Sequence, residues 1–346
     1  MPERAPRPLV ELTLARLREF LREPEAVFWV FAFPVLMAAA LGIAFRTQRT
    51  QEVSAGVLRA EGSGPLVRAL SAAGGVKVRE LGAVEAEVAL RNGEVSVLVL
   101  PGRPPTYRFD PTRPESHLAH LTVDAALQRA AGRVDAWPAR LETVALPGSR
   151  YIDWLLPGLI GMNIMGTGLW SVGFSVVNAR TRKLLKRLMA TPMPRGSYLA
   201  SHLLARLGFL VLEVAVLLVF GRLAFGVRNQ GSPLTLAGLC LLGAIAFSGI
   251  GLLVASRART IEAVSGLMNL VMLPMWLLSG VFFASSNFPD VAQPFIRALP
   301  LTALNDALRA VMLEGGGLRD VAREVGGLAA WGLVSFVLAL KLFRWR

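Results

Sequence analysis

The stretch VNARTRKLLKRLMATPMPRGSY, residues 177–198, decides how the rest of the chain is read. It holds six basic residues (Arg180, Arg182, Lys183, Lys186, Arg187 and Arg195) and no acidic one. Leu184, Leu185, Leu188 and Met189 fall at i, i+1, i+4 and i+5, which puts them on one face of a short helix. Thr191-Pro192-Met193-Pro194 stops that helix, because proline lacks the N–H and its ring clashes with the preceding turn. Outward from it, Trp154–Ala179 carries no charge, and Tyr198–Phe220 carries only Arg206 and Glu213. A basic, one-faced helix between two bilayer-length apolar runs is either a solvated or lipid-facing loop, of the kind the positive-inside rule makes common, or a docking element for a soluble partner. The apolar stripe and the proline stop favour docking.

The composition agrees with a membrane setting. With 53% hydrophobic and 18% charged residues and a mean hydropathy of +0.51, a chain of 346 residues is too apolar for an ordinary soluble protein. A net charge of +13 would suggest nucleic acid as the partner of a soluble protein. Residues 46–150, however, hold 14 basic and 11 acidic side chains, so most of the excess lies in the apolar part. Positive-inside bias explains it there, and no nucleic-acid partner is expected. Cys240 is the only cysteine, which excludes an intramolecular disulfide.

In chain order, residues 1–25 read as an amphipathic interface helix, with Leu9, Val10, Leu14, Leu17 and Leu21 at helical spacing. Residues 26–45 carry no charge and, at about 1.5 Å per residue, suffice for one crossing. The acidic residues before them argue against a signal peptide and for a retained first span. Residues 46–152 change character. β-rich runs (Val53–Leu58, Val76–Leu81, Val95–Leu100, Thr106–Phe109) alternate with helical patterns (Pro65–Ala72, Val84–Arg91, Glu115–Ala131), predicting a small α/β domain. Further spans are expected at 153–179, 198–221, 232–256, 261–283 and 325–343, with the basic helix and loop at 180–197. Residues 284–324 are broken by Pro289, Pro294 and Pro300 and contain an amphipathic helix, Leu301–Leu313, ended by Gly315-Gly316-Gly317. They form either an outer loop or short re-entrant helices that protein must bury.

Lys and Arg counts orient the chain. The N-terminus, residues 179–197, 256–260 and the tail from Lys341 carry 16, whereas the opposite short loops carry 6. Both termini and the 180–197 loop are therefore expected in the cytoplasm, and the 46–152 domain outside it. The expected fold class is an α-helical polytopic membrane protein of six transmembrane helices, with an inserted small α/β extracytoplasmic domain, in the cytoplasmic (inner) membrane.

Three intramembrane polar residues stand out. Glu213 costs about 2.5–3.5 kcal/mol if it faces lipid, so it is expected to face protein or water. Arg206, two turns earlier on the same face, could pair with it, and Asn269 in the fifth span is a candidate partner from another helix. Either the glutamate belongs to a structural ion pair or is protonated and hydrogen-bonded, or it has a functional role at a water-filled path or at a seam between two copies of the chain. His117 and His120 have the i, i+3 spacing of metal ligands, but without a third ligand they read as solvent-exposed histidines. Met162, Met165, Met268, Met272 and Met275 read as packing. No nucleophile elbow and no G-x-x-x-x-G-K phosphate loop occurs, so neither catalytic nor ATP-cradling residues are assigned to this chain.

Several stretches together resemble the permease subunits of type 2 ABC exporters, the ABC-2 class with a large external domain between the first two spans. They are LREFLREPEAVFWVFAFPVLMAAALGIAF (17–45), LLKRLMATPMPR (184–195), residues 225–283 from FGVRNQGSPL to WLLSGVFF, and LPLTALNDALRAVMLEGG (299–316). RNGEVSVLVLP (91–101) and YRFDP (107–111) fit more loosely. The resemblance implies that 184–195 is the cytoplasmic coupling helix, with Leu184, Leu185, Lys186, Arg187, Leu188, Met189, Thr191 and Pro192 contacting a separate ATP-binding cassette ATPase. That ATPase would carry the ATP and Mg, leaving no cofactor on this chain. A second permease chain, identical or paralogous, and membrane lipid complete the expected partners. Family members often have an acidic residue and a Gly-Thr pair opening the coupling helix; Ala179 and Lys183-Leu184 stand there instead. The expected function is export of a hydrophobic or amphipathic substrate from the cytoplasm or inner leaflet. The rival is a non-transporting signalling protein whose external domain binds a ligand and whose basic loop relays it.

Overall fold

The computed structural model describes residues 13–14, 18, 20–45, 52–134, 137, 148–181, 195–258 and 260–342. They form two compact units, one of residues 47–144 and one of residues 1–46 with 145–346. The chain enters the second of these through α1, Pro24–Ala44, which contains a π-helical turn over Phe28–Ala32. The irregularity has a covalent origin. The i+4 partner of the Val30 carbonyl would be Pro34, which has no N–H to offer.

The inserted unit contains β1 (Val53–Leu58), α2 (Ser63–Ala72), β2 (Val76–Leu81), α3 (Ala83–Asn92), β3 (Val97–Leu100), β4 (Thr106–Arg108) and α4 (Pro114–Ala130). Its sheet has the order β2-β1-β3-β4, with β1 parallel to both neighbours and β4 antiparallel to β3. The period-2 alternation of the strands sorts their side chains onto two faces. Val53, Ala55, Val57, Val97 and Val99 pack with Leu70 of α2 and Ala119, Val123 and Leu127 of α4. On the other face Leu98 and Leu81 pack with Ala86 and Ala89 of α3. Gly93, at φ +75°, ends α3 with its N–H on the Leu90 carbonyl, a left-handed position that glycine fills without strain.

The membrane unit continues with α5 (Tyr151–Thr181), α6 (Arg195–Phe225), α7 (Pro233–Ala255), α8 (Ile261–Leu278), α9 (Gln293–Ala298), α10 (Pro300–Glu314) and α11 (Ala322–Leu342). Among the described residues, six helices (α1, α5, α6, α7, α8 and α11) are long and apolar enough to cross a membrane. α5 and α7 lie at the centre, with 56% and 50% of their most apolar windows buried, against 17–28% for the other four. Glycines set the spacing of that pair. A Cβ at Gly251 would sit 2.7 Å from the Leu169 carbonyl oxygen, and one at Gly168 would sit 2.8 Å from the Phe247 Cβ. α11 approaches α7 the same way, through Gly249 and Gly332. Lipid tails are as apolar as leucine, so close backbone packing of small residues supplies the attraction between spans. The chain is an α-helical polytopic membrane protein with a small α/β unit between its first two spans.

Residues 284–324 contribute to the core. Leu301, Leu304, Leu308, Val311 and Met312 of α10 have no exposed surface and join the cluster built from α5 and α7. α8 ends at Leu278, short of the expected 283, and α10 supplies the reason. Asn305 Nδ2 donates to the Ser279 carbonyl at 2.9 Å, and Arg309 Nη2 donates to the Gly280 carbonyl. With Gly280 at φ +70°, the backbone turns away there and its carbonyls are satisfied by side chains instead of further helix.

Candidate functional site

One set of polar groups within the spans lies where α5, α6 and α1 meet. Glu213 of α6 is 1% exposed, and its Oε1 lies 3.6 Å from Arg206 Nη1, also on α6. Thr167 of α5 stands between them. Its Oγ1 accepts from Arg206 Nη2 at 2.9 Å and lies 3.2 Å from Glu213 Oε1 and 2.8 Å from the Asn163 carbonyl oxygen. The single hydroxyl proton can serve either acceptor. Glu213 Oε2 and Arg206 Nε have no protein partner. The result is a compact ion pair with spare hydrogen-bonding capacity, enclosed by protein and tying α6 to α5.

The neighbouring tie joins α5 to α1. Asn163, 7% exposed, donates from Nδ2 to the Val30 carbonyl at 3.0 Å, the oxygen that Pro34 leaves without its helical donor. On the other side Phe20, from the segment preceding α1, packs its ring 4.3 Å from that of Phe209 on α6 and 6.3 Å from Phe31 on α1. The segment before the first span is thus in contact with the third span within one turn of Arg206.

The opposite ends of these helices are pinned by arginines. Arg150 holds Asp153 through two side-chain contacts, Nε at 2.9 Å and Nη2 at 2.6 Å, and donates from Nη1 to the Phe225 carbonyl at 2.8 Å. Those hydrogen bonds to Asp153 raise the Arg150 guanidinium above its ordinary pKa. Its charge faces the carbonyl end of α6, where the helix dipole is negative. Arg309 lies 3.8 Å above the Trp154 ring and 3.6 Å from Asp306, and Tyr151 donates to the Phe282 carbonyl at 3.0 Å.

The structure thus brings Arg206 and Glu213 together and gives them Thr167 as companion, but it does not bring Asn269 to them. Asn269 lies on the exposed side of α8. A charge-bearing seven-residue spacing was visible in the sequence; Thr167 and Asn163, two polar residues in an otherwise apolar run, carried no such pattern. The stretch containing Leu184, Leu185, Lys186, Arg187, Leu188, Met189, Thr191 and Pro192 lies outside the described residues. In the inserted unit His120 stacks on Phe109 at 4.7 Å and meets Tyr107 edge-on at 5.1 Å. Tyr107 donates to Asp124 at 3.0 Å, and burial, helped by that acceptor, pushes its pKa up to about 12. Among the described residues no three His, Cys, Asp or Glu side chains could hold a metal ion.

With this arrangement in view, comparison with known proteins is informative. The family described as "ABC-2 family transporter protein" matches residues 25–341, from the first span to the last. The chain belongs to the ABC-2 transporter family. It is 27% identical to nodulation protein J of Bradyrhizobium diazoefficiens over 201 residues, which are 58% of this chain and 76% of that one. It is 25% identical to the linearmycin resistance permease protein LnrN of Bacillus subtilis over 52% of this chain and 46% of the relative. The inner membrane transport permease YhhJ of Escherichia coli is 28% identical over 53% of this chain and 49% of its own length. This ABC-2 chain is therefore the membrane component of an ABC transporter.

Proposed function

We propose that the chain is the permease of an ATP-driven exporter that moves a hydrophobic or amphipathic substrate out of the cytoplasm or inner leaflet. A separate cytoplasmic ATP-binding cassette ATPase, carrying the ATP and Mg, supplies the energy. In this reading residues 184–195 dock that ATPase, both termini are cytoplasmic, the 46–152 domain is extracytoplasmic, and a second permease chain completes the path. The similarity to a resistance permease and to an inner membrane transport permease supports export across the cytoplasmic membrane.

One structural observation carries the mechanism. α6 runs without interruption from Arg195, the last residue of the docking stretch, past Arg206 and Glu213 to Phe225. A helix transmits displacement along its axis at about 1.5 Å per residue with little compression. A push at residues 184–195 would therefore move Arg206, and with it Thr167 and the central helix α5. Asn163 would pass the same movement to α1, and Phe20 gives the segment before α1 a second point of entry. The polar set serves as the mechanical link between the energised end and the centre of the unit, while the apolar faces are left for lipid and substrate.

The test is ATP-dependent uptake of a fluorescent amphiphile by inside-out vesicles containing the permease and its ATPase. Wild type should accumulate the probe only with ATP, and Thr167→Val should hydrolyse ATP while accumulating less of it. Unchanged transport per ATP in Thr167→Val would remove the link from the mechanism.

A further inference from the structure

We propose that the end of the membrane unit formed by residues 290–298 and the start of α11 binds the phosphate headgroup of an anionic phospholipid. A shallow, largely open depression of about 520 Å³ is lined there by Asp290, Gln293, Pro294, Arg297, Ala298 and Arg323. Two arginines converge on it, and neither has a carboxylate within 4.0 Å among the described residues.

The chemistry of the lining selects an anion. The Gln293 amide nitrogen is already committed to the Ser285 and Phe288 carbonyls, at 2.8 and 3.0 Å. Recognition therefore falls to the two guanidinium forks, whose planar donor pairs match phosphate oxygens. Arg323 stands in the first turn of α11, so that helix's N-terminal N–H groups and dipole add to the same preference. Asp290 is the one acid among the lining residues, so the lining itself carries a net positive charge; Asp306, whose carboxylate feels Arg297, and Glu324, in the same first turn as Arg323, lie outside the lining but nearby. In the count of basic residues that orients the chain, these two arginines lie on the poorly basic side; anion binding gives them a purpose there.

The surroundings favour a lipid over a free ion. Val291 and Phe295, on the short segments that build the depression, are 83% and 74% exposed. Trp331 of α11 donates from Nε1 to the carbonyl of Ala298, a lining residue, at 2.8 Å. Below it Leu333 and Val334 are exposed at 66% and 52%. A tryptophan held at the rim, with apolar side chains continuing down a membrane span, matches the headgroup level of a bilayer. The phosphate would sit between Arg297 and Arg323, and the acyl chains would run along α11.

The experiment uses the full-length protein, reconstituted in vesicles of equal parts phosphatidylglycerol and phosphatidylcholine. After re-extraction in mild detergent, the retained lipids are quantified by mass spectrometry. Wild type should retain phosphatidylglycerol in preference to phosphatidylcholine. The double variant Arg297→Gln, Arg323→Gln should lose that preference by roughly tenfold or more, the loss expected for charge-assisted contacts. Arg319→Gln, an exposed arginine outside the depression, should retain it. Millimolar inorganic phosphate should not displace the lipid; displacement would assign the site to a free anion and overturn the lipid reading. An unchanged preference in the double variant with its thermal stability intact would refute the site itself.

Discussion

Replacement of Glu213 by leucine is the most informative perturbation of the membrane core. The side chains of Glu213 and Arg206 are 1% and 14% exposed, and their closest atoms are 3.6 Å apart. Removing the carboxylate leaves an enclosed guanidinium whose Nε is already without a partner and whose described side-chain contact is Thr167. Breaking such a buried pair from one side costs about 3–5 kcal/mol, because the surviving charge is uncompensated. Ordinary polar contacts between membrane helices contribute only about 0.6 kcal/mol, since the unfolded helices find other partners in the bilayer. The larger figure should prevail here, because the charge is enclosed by α5 and α6 and no longer reaches lipid headgroups. Replacing both partners, as Arg206→Met with Glu213→Leu, removes two desolvated charges and should return stability to within about 1 kcal/mol of wild type. The assay is a double-mutant cycle by SDS-titrated unfolding of the purified permease in mixed micelles, followed by tryptophan fluorescence. A coupling energy of about 2 kcal/mol or more is expected. Singles that add to give the double, with coupling at or below about 0.6 kcal/mol, would refute the buried pair.

Other perturbations follow from the same geometry. Asn163→Leu should cost about 1–3 kcal/mol in the same titration, because it orphans the Val30 carbonyl. Gly251→Ala should cost about 1–3 kcal/mol by pressing a methyl group onto the Leu169 carbonyl, whereas Gly238→Ala, with nothing within 4 Å, should be neutral or slightly stabilising. Arg309→Met should free the Ser279–Phe283 turn and raise its hydrogen exchange, with a loss of about 1.5–3 kcal/mol for the charged hydrogen bonds. For topology, Glu115→Cys in a Cys240→Ser background should react with an impermeant thiol reagent on intact cells, and Ser197→Cys should not; the reverse would invert the proposed orientation. Ser116, one residue on, is 3% exposed and would be a poor reporter.

The elements read most easily from the sequence were those whose pattern is local. The strands at Val53–Leu58 and Val76–Leu81 announced themselves by alternation, and the structure has them at those residues. The six apolar runs were equally plain, because bilayer thickness fixes their length. What escaped was set by tertiary contact. Within 261–283 the one local signal for a helix end at Leu278 is Gly280, which the length of the apolar run masks; the freed carbonyls are then held by Asn305 and Arg309, side chains from a helix further along the chain. Nor does the amphipathic pattern of 301–313 reveal that the helix is buried among the spans, since a surface helix would show the same stripe. In the polar set, the charged pair was legible because two charges seven residues apart in an apolar run stand out. Thr167 and Asn163 were not, because hydroxyl and amide side chains in spans are common and only packing gives them partners. Asn269 shows the converse: a polar residue in a span that lies on the exposed side of its helix.

A separate ATPase is proposed to energise this permease through residues 184–195. This coupling is tested most directly by co-purification of the ATPase with detergent-solubilised permease, with the hydrolysis rate of the complex measured alongside. If the stripe docks as proposed, Leu188→Asp would lose about 1.5–3 kcal/mol of apolar burial and place a charge in the docking groove. It should abolish both ATPase retention and permease-dependent hydrolysis while the protein still inserts in the membrane. Arg187→Ala, which the spacing puts on the polar face, should retain most of both, since exposed ion pairs contribute about 0–1 kcal/mol. Full ATPase retention and hydrolysis by Leu188→Asp would contradict the claim.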